Sequence, residues 1–181
     1  MTHAGLPAFG RDVHFIEDRV TALERAVDAI HSATGAAWAG VYTPDGEGLF
    51  TLGAAAGDVP FGPLDAVDHD DPVMIALRAE RGAADAPAGS VLAGALALPF
   101  VAAGRITGLI AVGPVPYAYT RGERESLLDV ATAVGLALEV LQGHALRREL
   151  ARCRERAEWA ERELAVLHRV LAGPPSHAEL R

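Results

Sequence analysis

No proline falls between Thr120 and Pro174, a run of about fifty residues. At its start, Thr120 and Glu123 stand at capping-box spacing, where each side chain can satisfy an orphan amide of a first helical turn. A helix that long far exceeds the globular mean of ~11–12 residues, so it is expected to run out of the domain in which it begins. Its later part carries Leu146, Leu150, Cys153, Ala157, Ala160, Leu164, Leu167 and Leu171 at gaps of 4, 3, 4, 3, 4, 3, 4. That is an unbroken a/d seam over more than three heptads. With Leu150, Ala157, Leu164 and Leu171 at a, the g positions are Glu149, Arg156 and Glu163, and the following e positions are Arg154, Glu161 and His168. In a parallel pair Glu149 meets the partner's Arg154, and Arg156 meets the partner's Glu161. Seam and flanks together predict a parallel coiled coil over residues 143–172 and a homodimer; an antiparallel pair is the alternative. Cys153, at d, reads as a small apolar seam residue. Trp159 falls at an outward c position, a place for a protein partner.

The first part of the same helix has a different stripe: Leu127, Ala131, Val134, Leu138 and Leu141. The coil picks up one residue later than this stripe would, and one residue is ~100° of helix rotation. The changeover falls at Gln142-Gly143-His144. Glycine costs ~1 kcal/mol relative to alanine inside a helix, so a soft joint is expected there.

Upstream of the long helix the chain alternates short elements. Helical spacing of Phe15, Ile16, Val20, Leu23, Val27 and Ile30 predicts a helix from Asp12 to Thr34, stopped at Gly35. Ala36–Thr43 and Leu49–Ala56 read as strands around the turn Pro44-Asp45-Gly46. Residues 57–71 read as a loop. Pro72–Arg81 reads as a short helix capped by Asp71. Gly82–Ser90 reads as loop with room for a short strand. Val91–Val101 and Ile106–Val112 read as a hairpin of buried strands. The expected organisation is a flexible segment 1–11, an α/β (α+β) domain 12–142 with a central antiparallel sheet, the coil 143–172, and a flexible tail 173–181.

Composition narrows the chemistry. All sixteen basic residues are Arg, and the chain has no Lys and no Asn. Schiff-base and P-loop lysines are therefore excluded. Residues 1–143 hold 18 Asp and Glu against 8 Arg, a balance of −10, whereas 144–181 hold 6 against 8, a balance of +2. An acidic domain repels phosphate backbones, so no nucleic-acid partner is expected. Cys153 is the single cysteine, and Met1–Asp12 is not a signal peptide, which together predict a reduced, cytoplasmic protein. The apolar run from Val91 to Gly104 is short and contains Pro99, so no membrane partner is expected.

Ala97-Leu98-Pro99-Phe100-Val101, followed by Gly104, Ile106 and Gly108-Leu109-Ile110-Ala111-Val112, resembles the paired core strands of the GAF domain. Tyr119-Thr120-Arg121-Gly122-Glu123, running on to Leu127-Leu128, resembles that family's opening of its last helix. The resemblance covers about residues 12–142; a PAS domain, with a similar sheet, is the nearest alternative. It implies a sensory, dimerising module that passes a signal through its exit helix to an output protein or domain. GAF members variously take cyclic nucleotides, haem or bilin, small metabolites, or no known ligand. Cyclic-nucleotide binders share an Asn-Lys-Phe-Asp-Glu motif, which a chain without Asn or Lys lacks. Bilin binders need a cysteine inside the domain, and sulfoxide-reducing members need two or three.

If the fold holds, a pocket is expected between the sheet and residues 57–90, lined by Tyr42, Phe50, Phe61, Met74, Ile75, Arg78, Phe100 and Tyr117. Arg78, turned inward, would favour a carboxylate or phosphate ligand. Asp65, Asp68, His69, Asp70 and Asp71 cluster in sequence, but neighbouring acids in a loop ordinarily face water, and no metal is expected. No catalytic constellation and no cofactor motif stand out. The expectation is a non-catalytic sensory or regulatory module, with a ligand-free dimerisation scaffold acting through protein contacts as the alternative.

Overall fold

The computed structural model describes residues 18–59, 65–102 and 104–171. Its elements are α1 (Arg19–Thr34), β1 (Trp38–Pro44), β2 (Leu49–Gly57), β3 (Ala66–Asp68), α2 (Pro72–Glu80), β4 (Ala84–Asp85), β5 (Leu96–Ala102), β6 (Arg105–Val112) and α3 (Arg121–Leu171). The predicted helix residues 12–17, the ends 1–11 and 173–181 read from sequence as flexible, and Phe61 lie outside the described residues. The chain divides into two compact units, Met1–Leu141 and Gln142–Arg181, and α3 spans the division.

The first unit is built on one antiparallel sheet in the order β3-β2-β1-β6-β5-β4. Its two edge strands are the shortest, at three and two residues. The sheet separates two apolar layers. On one face Leu96, Leu98, Phe100, Ile110 and Val112 pack with Leu23, Val27 and Ile30 of α1 and with Leu127, Ala131 and Val134 of α3. On the other, Tyr42, Phe50, Ala97 and Leu109 pack with Val73, Met74 and Leu77 of α2. Strand residues alternate between the layers because successive side chains point to opposite faces.

Local chemistry sets the helix ends. Asp18 caps α1 by accepting the Thr21 backbone N–H at 3.0 Å and the Thr21 hydroxyl at 2.9 Å. The Thr21 backbone bond, then its hydroxyl, hold the Asp18 carboxyl below its usual range. Gly35 ends α1 in the left-handed region at φ 60°, which glycine adopts without strain. Asp71 caps α2 through Val73 N–H at 2.8 Å, and its second oxygen accepts from Val91 N–H at 3.1 Å, tying the next loop to the helix start. The capping box of α3 forms as read from sequence: Glu123 N–H donates to Thr120 Oγ1 at 3.3 Å, and Thr120 N–H to Glu123 Oε2 at 2.8 Å.

Three readings are corrected. The loop 57–71 contains β3, which pairs Leu49–Thr51 with Ala66–Asp68. Strand β5 starts at Leu96 rather than Val91; residues 91–95 are turn, closed by Ala93 N–H to Ser90 C=O and Ala95 N–H to Leu92 C=O. The short apolar run 91–104 is not the stretch that comes nearest to a membrane span: one window of α3 is long and apolar enough to cross a bilayer by composition alone. Leu127, Val130, Ala131, Val134 and Ala137 of that helix are buried in the packed domain.

Phe100 packs tightly against both α3 and the neighbouring strand β6. A β-carbon placed on Gly135 would lie 3.0 Å from Phe100 Cβ, and one on Gly108 only 2.5 Å from Phe100 Cδ2. The two glycines let the helix and the neighbouring strand close around a ring that is 1% exposed.

In the second unit every described residue of α3 from His144 to Leu171 is exposed. The seam leucines Leu146, Leu150, Leu164, Leu167 and Leu171 range from 54% to 81% exposed.

Candidate ligand cleft

Antiparallel pairing brings several chain turns to one end of the sheet. Tyr42 pairs with Leu109, so the end of β1 lies beside the start of β6. The β1–β2 and β5–β6 turns therefore neighbour each other, and the C-terminal end of α2 comes to the same place. Together they enclose a cleft of about 820 Å³, within the ~300–1,000 Å³ range of small-molecule sites. Phe50, Met74, Leu77, Pro99 and Ile106 give it an apolar lining, and Arg78, Arg81, Arg105 and His69 are its charged or titratable groups.

Helical spacing explains which α2 residues reach the cleft. Met74, Leu77 and Arg78 fall at i, i+3 and i+4, one helix face. Arg81 follows as the C-cap, in the left-handed region at φ 54°, ψ 29°. Arg105 opens β6 opposite Ala102, just past the turn at Gly104.

The eight residues read from sequence as pocket lining separate into groups. Phe50, Met74 and Arg78 line the cleft. Tyr42 is fully buried in the same layer but is not among the cleft residues. Burial, then the charge of Asp65, pushes its phenol above the usual range. Its hydroxyl has no hydrogen-bond partner among the described residues. Ile75 lies on the outer face of α2 and is 57% exposed. Phe100 is a correction: strand alternation turns it to the helix face with Leu96 and Leu98, while Pro99 and Val101 on either side line the cleft. Tyr117 is also a correction. Its hydroxyl donates to the Thr34 carbonyl at 3.1 Å, at the end of α1, and its ring stands edge-on to Tyr119. Phe61 lies outside the described residues.

Sequence reading missed Arg81 and Arg105. The signal was available: each lies beside a turn glycine, Gly82 or Gly104, and the strand pairing places those turns at one end of the sheet.

The acidic cluster resolves into parts. Asp71 is occupied by capping. Asp68, His69 and Asp70 each offer one ligand atom within 4.8 Å of the others, and all are exposed. His69 Nδ1 lies 2.9 Å from Asp68 Oδ1 and Nε2 lies 3.3 Å from Asp70 Oδ1. Three exposed polar side chains satisfying one another is ordinary surface chemistry.

On the far side of α2, Arg124 of α3 reaches Asp85 of β4, with Nη2 at 2.8 and 2.7 Å from the two carboxylate oxygens. It is the ion pair that ties the edge strand beside α2 to the long helix.

No curated protein matches the sequence significantly. Solved structures do resemble the fold. The GAF domain of a phosphoenolpyruvate-protein phosphotransferase from Acinetobacter matches with TM-score 0.64 and 11% identity, covering 77% of this chain and 93% of that one. A free methionine-R-sulfoxide reductase from Neisseria meningitidis matches with TM-score 0.63 and 19% identity, over 77% and 89%. A bacteriophytochrome from R. palustris matches with TM-score 0.64 and 16% identity, over 84% of this chain and 40% of that one. At these identities the likeness is one of fold. The sequence profile of the GAF domain matches residues 18–138, the whole sheet and the packed part of α3, so the chain belongs to the GAF domain family.

Proposed function

We propose that the chain is a non-catalytic sensory or regulatory module of the cytoplasm, which dimerises through its C-terminal helix and passes a small-molecule or partner signal along it. The observation that carries this reading is the contrast along α3. Up to Leu141 its apolar residues serve the domain's own core. Beyond it an intact a/d seam, flanked by complementary charges, is exposed on the single chain. Eight apolar seam residues in water are a cost that a second copy would remove.

The cleft supports a small-molecule input. Structural neighbours in a bacteriophytochrome and a methyl-accepting chemotaxis protein support a sensory role. A reductase is also a neighbour. Against a thiol-based reaction here stands the single cysteine, Cys153, exposed on the second unit. A ligand-free scaffold is the second reading, favoured by Trp159, which is 59% exposed at an outward c position. Light scattering on the intact chain and on one ending at Gln142 tests the proposal. The intact chain is expected as a dimer and the shortened one as a folded monomer. A monomeric intact chain would remove the coil from the mechanism.

A further inference from the structure

We infer that the cleft takes a small organic anion, a carboxylate or phosphate on an apolar body, held by Arg78, Arg81 and Arg105. The inference rests on reading the cleft as a ligand site and specifies what it holds.

Charge distribution carries the first step. Residues 1–143 contain 8 Arg among 18 acids, yet three of those arginines line one cleft and, among the described residues, no carboxylate lines it with them. Two other arginines of the same unit are paired, Arg121 with Glu125 and Arg124 with Asp85. Among the described residues Arg78, Arg81 and Arg105 have neither an ion pair nor a side-chain hydrogen bond. Asp68 and Asp70 are engaged with His69, which lines the cleft, and Asp45 of the β1–β2 turn accepts from the Glu47 and Leu49 backbone N–H groups. Three guanidinium forks left open around an apolar floor match the shared chemistry of carboxylates and phosphates, which accept two parallel N–H bonds. They come from two directions, Arg78 and Arg81 from α2 and Arg105 from the β5–β6 turn.

The backbone supplies an independent sign. Arg81 is the single non-glycine residue with positive φ among the described residues. Helix ends of this kind ordinarily use glycine, and a glycine stands immediately after it at position 82. A branched cation held in a conformation it disfavours, at the mouth of a cleft, is how strain is retained where a side chain has work to do.

Calorimetric titration of the full chain tests this with three probes that share one ring system: 1-naphthoate, 1-naphthyl phosphate and neutral 1-naphthol. At least one anion is expected to bind ten or more times tighter than 1-naphthol, and which one leads separates a carboxylate ligand from a phosphate ligand. Arg105→Gln should weaken the anion roughly three- to tenfold. Arg81→Gly should weaken it similarly while raising Tm by about 2–4 °C, because glycine relieves the left-handed backbone. A purely structural Arg81 would lower Tm instead, which would remove it from the grip. If 1-naphthol binds as well as the anions and neither variant matters, the anion inference fails and the ligand cleft stands. If none of the three binds at millimolar concentration, both fail.

Discussion

The two parts of α3 obey different physics within one helix. From Arg121 to Leu141 one face is packed: Leu127, Val130, Ala131, Val134 and Ala137 are buried, and Gly135 sits against Phe100. From Gln142 to Leu171 helicity rests on local preference alone in the single chain. Most helical stability in proteins comes from packing an apolar face rather than from propensity, so the second part is the one with more to gain from a packing partner. Leu136, in the packed part, is 52% exposed. It lies fourteen residues before Leu150, at the same heptad position, but the d position after it is Glu139, so the unbroken apolar seam starts at Leu146.

Substitutions on each side of the division should separate the two regimes. The largest effect belongs to Phe100→Ala, which empties the space between Gly108 and Gly135. It should cost about 3–5 kcal/mol of domain stability, read by denaturant unfolding of a chain ending at Gln142 as well as the full chain. An equal loss in both would place the effect wholly in the domain; little loss in either would contradict the packing described.

Leu164→Ala tests the other side. It removes two seam leucines per dimer and should weaken association by about 2–4 kcal/mol, roughly 30- to 1,000-fold in Kd, while the domain's unfolding midpoint in the monomer stays put. Sedimentation across a concentration series reads the first quantity. A dimer unchanged by this substitution would mean the copies pair through another surface.

The smallest effect is expected at the boundary. A β-carbon on Gly143 meets nothing within 4 Å, so Gly143→Ala should stabilise the helix by about 1 kcal/mol. Hydrogen exchange of residues 141–145 should slow several-fold. If exchange there is already as slow as on either side, and alanine leaves it so, glycine is not a soft point.

Much of this was readable from residue spacing. Periodicity located α1, β1, β2, α2, β6 and α3, because each combines an apolar period with a cap or turn at its end. Asp71, Gly35 and the Thr120–Glu123 box act as their sequence positions promised. Ala66–Asp68 escaped, and Ala84–Asp85 was read only as room for a short strand within 82–90, since both exist through pairing with a neighbour and carry no period of their own. Val91–Ala95 looked like strand because it is apolar, but its backbone bonds close turns. The cleft was legible only in part. Met74 and Arg78 follow from the helical face of α2. Phe100 was misplaced because a continuous apolar strand, buried on both faces, does not say which residue faces which layer. Arg81 and Arg105 become neighbours through tertiary pairing of turns distant in sequence.

The brevity of the outer strands has a consequence for how copies of this chain can associate. Unpaired strand edges recruit other chains into extended sheets and aggregates. Here β3 and β4 offer only three and two residues as a template. Beyond β4, the outer side of β5 contains Pro99, whose nitrogen cannot donate to an added strand. Near pH 5.3, the isoelectric point, net charge no longer keeps molecules apart. Protection from sheet-to-sheet growth then falls to these blunt edges.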